Sequence, residues 1–226
     1  MRITLAAMFA TRHNGAAAPA AFGRVVLVAS LGGMKALNEV LCRLPADYPV
    51  PVVVAQHRRA TRGSGDILAR VLADNTCLRV RTAETGAPAD QPGVTVIPAR
   101  TTATIDPRGV WTVRDAPGEM GVGDAVLASS AAQTPTIAVI LTGRLADGSN
   151  GCRAVKRNGG RVLVQDPSTA EASGMPAHAL ATGCADFVLP LDRLAAAVLA
   201  LTTAPGGAAL LAVPLPPWAS LHADAR

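Results

Sequence analysis

The hydrophobic positions of this chain fall in short runs that predict buried strands. Three of them are rich in Val, Ile and Ala and occupy residues 25–29, 52–56 and 137–142. Uninterrupted runs of this kind are typical of parallel strands that are covered on both faces. Each is followed by a polar residue of a different chemistry: Ser30, His57 and, in a glycine-bearing loop, Asp147. Because sites in open α/β sheets form outside the carboxyl ends of the strands, we expect these three side chains to share one edge.

Between the strands, apolar residues recur at helical spacing, as in Met34, Leu37, Leu41 and Leu44. The alternation of strand and helix continues to a last helix that ends near residue 201. It predicts an α/β fold with a doubly wound, mostly parallel sheet and helices on both faces. Residues 86–123 differ, because their short apolar runs are separated by Pro, Gly and Asp. We expect a small antiparallel insertion there, formed from runs at 94–98, 103–105 and 110–113.

The two ends of the chain differ from its middle. Residues 23–203 form the predicted domain, residues 1–22 an Ala/Pro-containing leader, and residues 204–226 a tail rich in Ala, Gly and Pro. Residues 1–10 resemble a weak signal peptide, but the polar stretch that follows interrupts the apolar run. We favour a disordered leader or a mis-set start codon over secretion, expect a poorly ordered tail, and place the protein in the cytoplasm.

Composition narrows the function classes. The 226 residues carry a formal net charge of +5, with a pI of about 9.6. Aromatic residues make up only 3% of the chain and are scattered, which argues against a nucleic-acid surface. No apolar run reaches the length of a membrane span. The four cysteines and four histidines lack the paired spacing of metal ligands, so we expect no metal, no cofactor and reduced thiols.

Ser30, His57 and Asp147 supply the chemistries of a catalytic triad. A serine hydroxyl is a poor nucleophile until a base takes its proton, and the base needs a third group to fix its tautomer. The order along the chain is Ser, His, Asp. The α/β-hydrolase order is Ser, Asp, His, and the G-x-S-x-G elbow of that fold is absent. A triad in this chain therefore belongs to another architecture.

Gly32 and Gly33 follow Ser30 and open the next helix, where backbone N–H groups could hold an oxyanion. Each residue also has a plainer interpretation. Ser30 could cap the helix, His57 could be a hydrogen-bonded core histidine, and Asp147 could be a turn residue. Nucleotide binding is disfavoured, because the G-x-G-x-x-G fingerprint is incomplete and the second strand leads to His57 instead of an acid.

Five short motifs resemble the catalytic domain of the chemotaxis protein-glutamate methylesterases (CheB type) from about residue 24 to 202. Residues 29–33 (A-S-L-G-G) resemble the family's A-S-T-G-G nucleophile loop, and residues 56–57 its Q-H. Residues 141–148 (L-T-G-R-L-A-D-G) resemble its L-T-G-M-G-x-D-G. Residues 165–170 (Q-D-P-S-T-A) resemble its Q-D-x-x-S segment, and residues 174–176 match its G-M-P turn.

The resemblance implies Ser30 as nucleophile, His57 as base and Asp147 as orienting acid. It implies hydrolysis of glutamate γ-methyl esters on chemoreceptors, with glutamine deamidation as a related activity, no cofactor, and a doubly wound α/β fold. It also places several residues around the substrate and its oxyanion: Leu31, Gly32, Gly33, Arg144 and Met175. No metal ligand is implied.

The family pattern is altered around the site. Leu31 replaces a threonine, Arg58-Arg59 replaces M-P, and Arg144 replaces a methionine in a loop associated with the oxyanion. The receiver domain that normally precedes this domain is not recognised in the chain. A divergent esterase and a non-catalytic module that binds a peptide or helix in the same cleft both stay open.

Arginines concentrate on the loops that the parallel-sheet prediction places around the triad: Arg58, Arg59, Arg100 and Arg144. An arginine fork pairs well with a carboxylate, so we expect an acidic protein substrate or partner, such as a chemoreceptor. The alternative is solvated surface charge. We expect no nucleic-acid partner, and a monomer.

Overall fold

The computed structural model describes residues 21–58, 66–116, 121–214 and 217. Its main element is a sheet of seven parallel strands in the order β3-β4-β2-β1-β7-β8-β9, and two further strands form a separate antiparallel pair. The strands are β1 (Arg24–Ala29), β2 (Val52–Gln56), β3 (Val80–Thr82), β4 (Val94–Val96), β5 (Thr101–Ile105), β6 (Trp111–Asp115), β7 (Thr136–Ile140), β8 (Arg161–Gln165) and β9 (Phe187–Leu189).

In the described part of the chain, seven helices connect or follow these strands. They are α1 (Gly33–Leu41), α2 (Ile67–Asn75), α3 (Val122–Gln133), α4 (Ser149–Arg157), α5 (Gly174–Ala181), α6 (Leu191–Thr202) and the short α7 (Gly207–Leu210), with a 3₁₀ turn at Pro167–Thr169. Helix α7 lies within the tail for which we expected poor order. Residues 1–20 of the leader predicted at 1–22 lie outside the described residues.

The helices cover both faces of the sheet, so the chain folds in three layers. Helices α1, α2 and α6 pack on one face, where their side chains join alternate residues of the strands in one apolar cluster. Helices α3, α4 and α5 and the β5–β6 hairpin pack on the other face. The central strands carry side chains into both clusters, which explains their uninterrupted apolar runs. This confirms the doubly wound fold with a small antiparallel insertion.

The insertion is smaller than the sequence indicated. Strand β4 was expected to be antiparallel, but it pairs in parallel with both β2 and β3. Among the strands in the described ranges, only β5 and β6 pair antiparallel. All three residues of β4 are buried, so it needs cover on both faces and a neighbour on each side. A strand of three residues is too short for periodicity to reveal this, and the flanking Gly93 and Pro98 favoured a hairpin interpretation.

The order in which strands are added to the sheet reverses at β1. After β1 it builds β2 and the strands beyond it on one side, and β7 then returns to pair with the other side of β1. The carboxyl end of β1 is therefore flanked by the ends of β2 and β7. Such a switch point leaves a crevice where the loops diverge, and this is where ligands bind in open α/β sheets.

Candidate active site

The three parallel strands at the switch point deliver Ser30, His57 and Asp147 to one edge. The Ser30 N–H donates to the Thr142 carbonyl at 2.9 Å, and the His57 N–H donates to the Ala29 carbonyl at 3.0 Å. These bonds extend the parallel ladders one step beyond β1 and β2, so both residues have fixed backbone positions. Asp147 lies in the loop from β7 to α4. All three line one cavity of about 150 Å³.

The three side chains line this cavity, but in the described structure they are not hydrogen-bonded to one another. Within the described part of the chain, no hydrogen bond links the His57 imidazole to the Ser30 hydroxyl or to the Asp147 carboxylate. Contacts of this kind are often long in an enzyme without its substrate and shorten in the complex. The sequence prediction that the three residues meet at the sheet edge agrees with the shared cavity. Their catalytic roles stay a prediction.

Asp147 is oriented by the first turn of α3. Its two carboxylate oxygens accept the N–H groups of Gly123 at 2.9 Å and Asp124 at 3.1 Å. Burial raises the pKa of this carboxyl above its usual 3.8, and the backbone hydrogen bonds oppose that rise. Because each carboxylate oxygen can accept more than one hydrogen bond, Asp147 keeps acceptor capacity for an imidazole in the cavity.

A tight turn carries Ser30 into α1. The Ser30 carbonyl accepts the Gly33 N–H at 2.9 Å and the Gln56 side-chain amide at 3.1 Å. Gly32 has a φ of 75°, in the left-handed region that favours glycine. The Gly33 N–H is thus occupied within the turn, which corrects the expectation that it faces an oxyanion. The N–H groups of Leu31 and Gly32 have no acceptor among the described residues.

Met175 forms one wall of the cavity. Its side chain is buried, and its N–H donates to the Gly143 carbonyl at 2.7 Å. A Cβ on Gly143 would overlap the Met175 sulfur and lie 2.9 Å from the Ser30 Cβ. Only glycine therefore fits between the methionine and the nucleophile candidate. The Met175 thioether lies beside Gly143, and the Met175 N–H is already occupied.

A second, larger cleft opens beside Ser30. It has a volume of about 1050 Å³ and runs along the exposed side of α1. The predicted site residues Leu31, Gly32, Gly33 and Arg144 line it, together with Ser30 and His57. Leu31 is 42% exposed. This cleft has room for much more than an ester group, whereas the small cavity is close to the size of one side chain.

The arginines predicted around the site divide into different environments. Arg58 lines the cleft, but its guanidinium forms an ion pair with Asp66 and donates to the Ile97 carbonyl at 2.9 Å. Burial lowers its pKa, and Asp66 opposes that shift. The Arg58 guanidinium thus has a structural role. Arg144 is exposed on the cleft wall. Arg100 lies in the turn before β5 and lines neither cavity, and Arg59 lies outside the described residues.

The sequence prediction gave no role to three residues that build the edge. Thr142, Gln56 and Gln165 each end an apolar run, and all three side chains hydrogen-bond to loops at the site. A polar residue at the end of a buried strand is the sequence pattern that predicted a site position for Ser30 and His57. The same pattern applies to these three residues, but no prediction was made from it.

The described residues hold no group of three or more His, Cys, Asp and Glu side chains that could bind a metal ion. None of the described helices is long and apolar enough to cross a membrane.

The fold and its edge define a class of three-layer α/β proteins with a serine, a histidine and an aspartate around one cavity. The chain belongs to the CheB methylesterase family, whose profile matches residues 25–198. It is 37% identical over 186 residues to protein-glutamate methylesterase/protein-glutamine glutaminase 1 of Carboxydothermus hydrogenoformans, covering 78% of this chain and 54% of the relative. It is 33% identical over 186 residues to protein-glutamate methylesterase FrzG of Myxococcus xanthus, covering 80% and 55%.

The fold also matches a solved structure of the family. The crystal structure of the Thermotoga maritima CheB methylesterase catalytic domain aligns with a TM-score of 0.71 and 31% identity, covering 80% of this chain and 98% of that one. The chain spans about half the length of the curated relatives named above. It corresponds to nearly the whole of the solved catalytic domain.

Proposed function

We propose that this protein is a serine hydrolase that cleaves glutamate γ-methyl esters on proteins. The observation that carries the proposal is the cavity at the switch point, which is lined by Ser30, His57 and Asp147 together. Membership of the CheB methylesterase family supports this choice of reaction. The names of the relatives also support glutamine deamidation as a second reaction, because both reactions begin with attack on the same γ-carbonyl carbon.

Ser30 is the proposed nucleophile. His57 accepts the hydroxyl proton as Ser30 Oγ attacks the ester carbonyl carbon, and it then protonates the departing methoxide to give methanol. Water, deprotonated by His57, then attacks the acyl carbon. His57 returns the proton to the departing Ser30 Oγ, which leaves a glutamate side chain on the substrate and regenerates free Ser30. Asp147 orients the imidazole and stabilises its cationic form. The N–H groups of α3 hold that carboxylate in place.

The oxyanion needs hydrogen-bond donors that are not already used. We propose the N–H of Leu31, which follows the nucleophile, and the N–H of Arg144. Neither has an acceptor among the described residues. Arg144 adjoins Gly143, which lies against Ser30. Met175 shapes the wall beside the ester methyl group.

The proposed substrate is a chemoreceptor or another acidic protein in the cytoplasm. The larger cleft supports a protein substrate, because it extends along α1 far beyond the site of the reaction. Arg144 and Lys35 lie on its wall, and neither forms an ion pair within the described ranges. Glu171 on the same wall opposes this preference in part.

Turnover of methylated protein tests the proposal. We expect Ser30→Ala to lower methanol release from a carboxymethylated receptor fragment by about 10⁴-fold or more, because Ser30 carries the one hydroxyl or thiol among the described residues that line the cavity. Ser129→Ala is the control, since the Ser129 hydroxyl donates only within its own helix. Equal turnover by wild type and Ser30→Ala would refute the hydrolase assignment.

The same assay tests the acidic substrate. We expect Arg144→Glu to raise KM at low salt and to lose most of that effect at high salt, because ionic strength screens exposed charges. An unchanged KM at both salt concentrations would exclude recognition by Arg144.

A further inference from the structure

The backbone on both sides of the nucleophile candidate is held by a single residue, Thr142. Its carbonyl accepts the Ser30 N–H at 2.9 Å. Its hydroxyl donates to the Leu31 carbonyl at 3.0 Å. Thr142 is 2% exposed. One buried threonine therefore restrains the residue that carries the nucleophilic oxygen and the residue that follows it.

The same hydroxyl joins this turn to a second segment of the site. It accepts the Ala172 N–H at 2.9 Å and lies 3.3 Å from the Ala172 carbonyl. That carbonyl also accepts the Gly143 N–H at 2.9 Å. The segment leads into α5 and to Met175, which forms the cavity wall against Ser30. The hydroxyl thus fixes the spacing between nucleophile and wall.

Gln165 fixes the backbone of Thr142 through its side-chain amide. Its side-chain oxygen accepts the Thr142 N–H at 3.0 Å. Its side-chain nitrogen donates to the Thr169 carbonyl at 3.0 Å. Gln165 is 1% exposed. Beyond Ile140 the strands β7 and β8 no longer pair, so this side chain takes over the role of the backbone ladder.

We infer that Thr142 is a positioning residue for the nucleophile, and that Gln165 keeps it in place. The inference rests on the proposed hydrolase function. Burying a hydroxyl group costs free energy unless the group is hydrogen-bonded. The hydrogen-bond partners of the Thr142 hydroxyl all belong to segments that line the active cavity or its cleft. A hydroxyl serving packing alone could be replaced by a methyl group without consequence for the reaction.

Thr142→Val tests the inference, because valine keeps the shape and removes the hydroxyl. We expect kcat for Ser30-dependent ester hydrolysis to fall by about 10- to 100-fold, with KM changed less than about two-fold, since a displacement of about 1 Å costs on the order of 10²-fold in rate. Thr142→Ser keeps the hydroxyl and should restore kcat to within about three-fold of wild type by the same reasoning.

Thr136→Val is the matched control. Thr136 begins β7, the strand that leads towards Thr142. It is fully buried and donates its hydroxyl to the Thr134 carbonyl at 2.9 Å, at the end of β7 away from the site. This variant loses a buried hydroxyl in the same way but should keep the wild-type kcat. Wild-type kcat in Thr142→Val, an equal loss in Thr142→Ser, or an equal loss in Thr136→Val would each overturn the inference.

Amide hydrogen exchange provides a readout that does not depend on activity. Thr142→Val should accelerate exchange at the Ser30 and Ala172 amides, and Thr136→Val should leave both unchanged. If wild type shows no Ser30-dependent turnover, the proposed function fails. The exchange rates then still decide whether Thr142 holds Ser30, and unchanged rates in Thr142→Val would refute that.

Discussion

At the scale of single residues, Asp147 shows how environment prepares a side chain for one role. Its carboxylate is placed against the first turn of α3, where the N–H groups of Gly123 and Asp124 and the positive end of the helix favour negative charge. Burial acts in the opposite direction and dominates, so the pKa of Asp147 is raised. Ionisation of this carboxyl therefore costs the folded state some stability.

Asp147→Asn tests this balance. The pKa of the Asp147 carboxyl in the folded protein lies above the usual 3.8. The folded state therefore binds the proton on this carboxyl more tightly than the unfolded chain does. Below 3.8 both states are protonated and the wild type carries no penalty. As the pH rises through the raised pKa, the wild type should lose free energy of unfolding relative to Asp147→Asn, and the loss should persist at neutral pH.

Urea unfolding of both proteins across pH 3 to 8 measures this difference. The same variant should lose ester hydrolysis by about 10⁴-fold, because an amide cannot stabilise an imidazolium. A difference in unfolding free energy that is constant with pH, or that favours the wild type as pH rises, would contradict the assigned direction.

At the scale of elements, a buried ion pair attaches the edge of the sheet. Lys156 on α4 pairs with Asp186, which precedes β9, and both side chains are 1% exposed. Asp186 also accepts the Val162 N–H of β8 at 2.7 Å. Strand β9 has only three residues and pairs on one side with β8. The ion pair therefore joins α4, β8 and the approach to β9.

Lys156→Met should lower the free energy of unfolding by about 3 to 5 kcal/mol, because it leaves Asp186 charged, buried and unpaired. Lys156→Met combined with Asp186→Asn should recover most of this loss, since the amide oxygen can still accept the Val162 N–H. Chemical denaturation of the two variants and wild type gives the comparison. A single substitution costing less than about 1 kcal/mol would show that the pair is dispensable.

The elements also show what the sequence could predict. Strands β1, β2 and β7 were recognised because runs of four or more buried residues leave a clear pattern. Strand β4 was placed in the wrong arrangement, since three residues carry no usable period. The sequence patterns could not predict contacts between residues that lie far apart in the chain. Arg58 was expected to bind substrate, but its ion pair with Asp66 makes it a structural residue.

At the scale of the whole molecule, the site follows from topology. Growth of the sheet on both sides of β1 places the ends of β1, β2 and β7 next to one another, and with them Ser30, His57 and Asp147. The sequence located these three because each follows a strong strand. It could not locate Thr142, because its role depends on a contact with Ala172 across 30 residues.

The central claim is that Ser30 is an activated nucleophile, and covalent labelling tests it most directly. Intact-mass spectrometry after reaction with an organophosphonate should show one adduct per chain, mapped to the peptide that contains Ser30. Ser129→Ala should label like wild type, and His57→Ala should label much more slowly. Absence of an adduct in the wild type, or equal labelling of Ser30→Ala, would contradict the account.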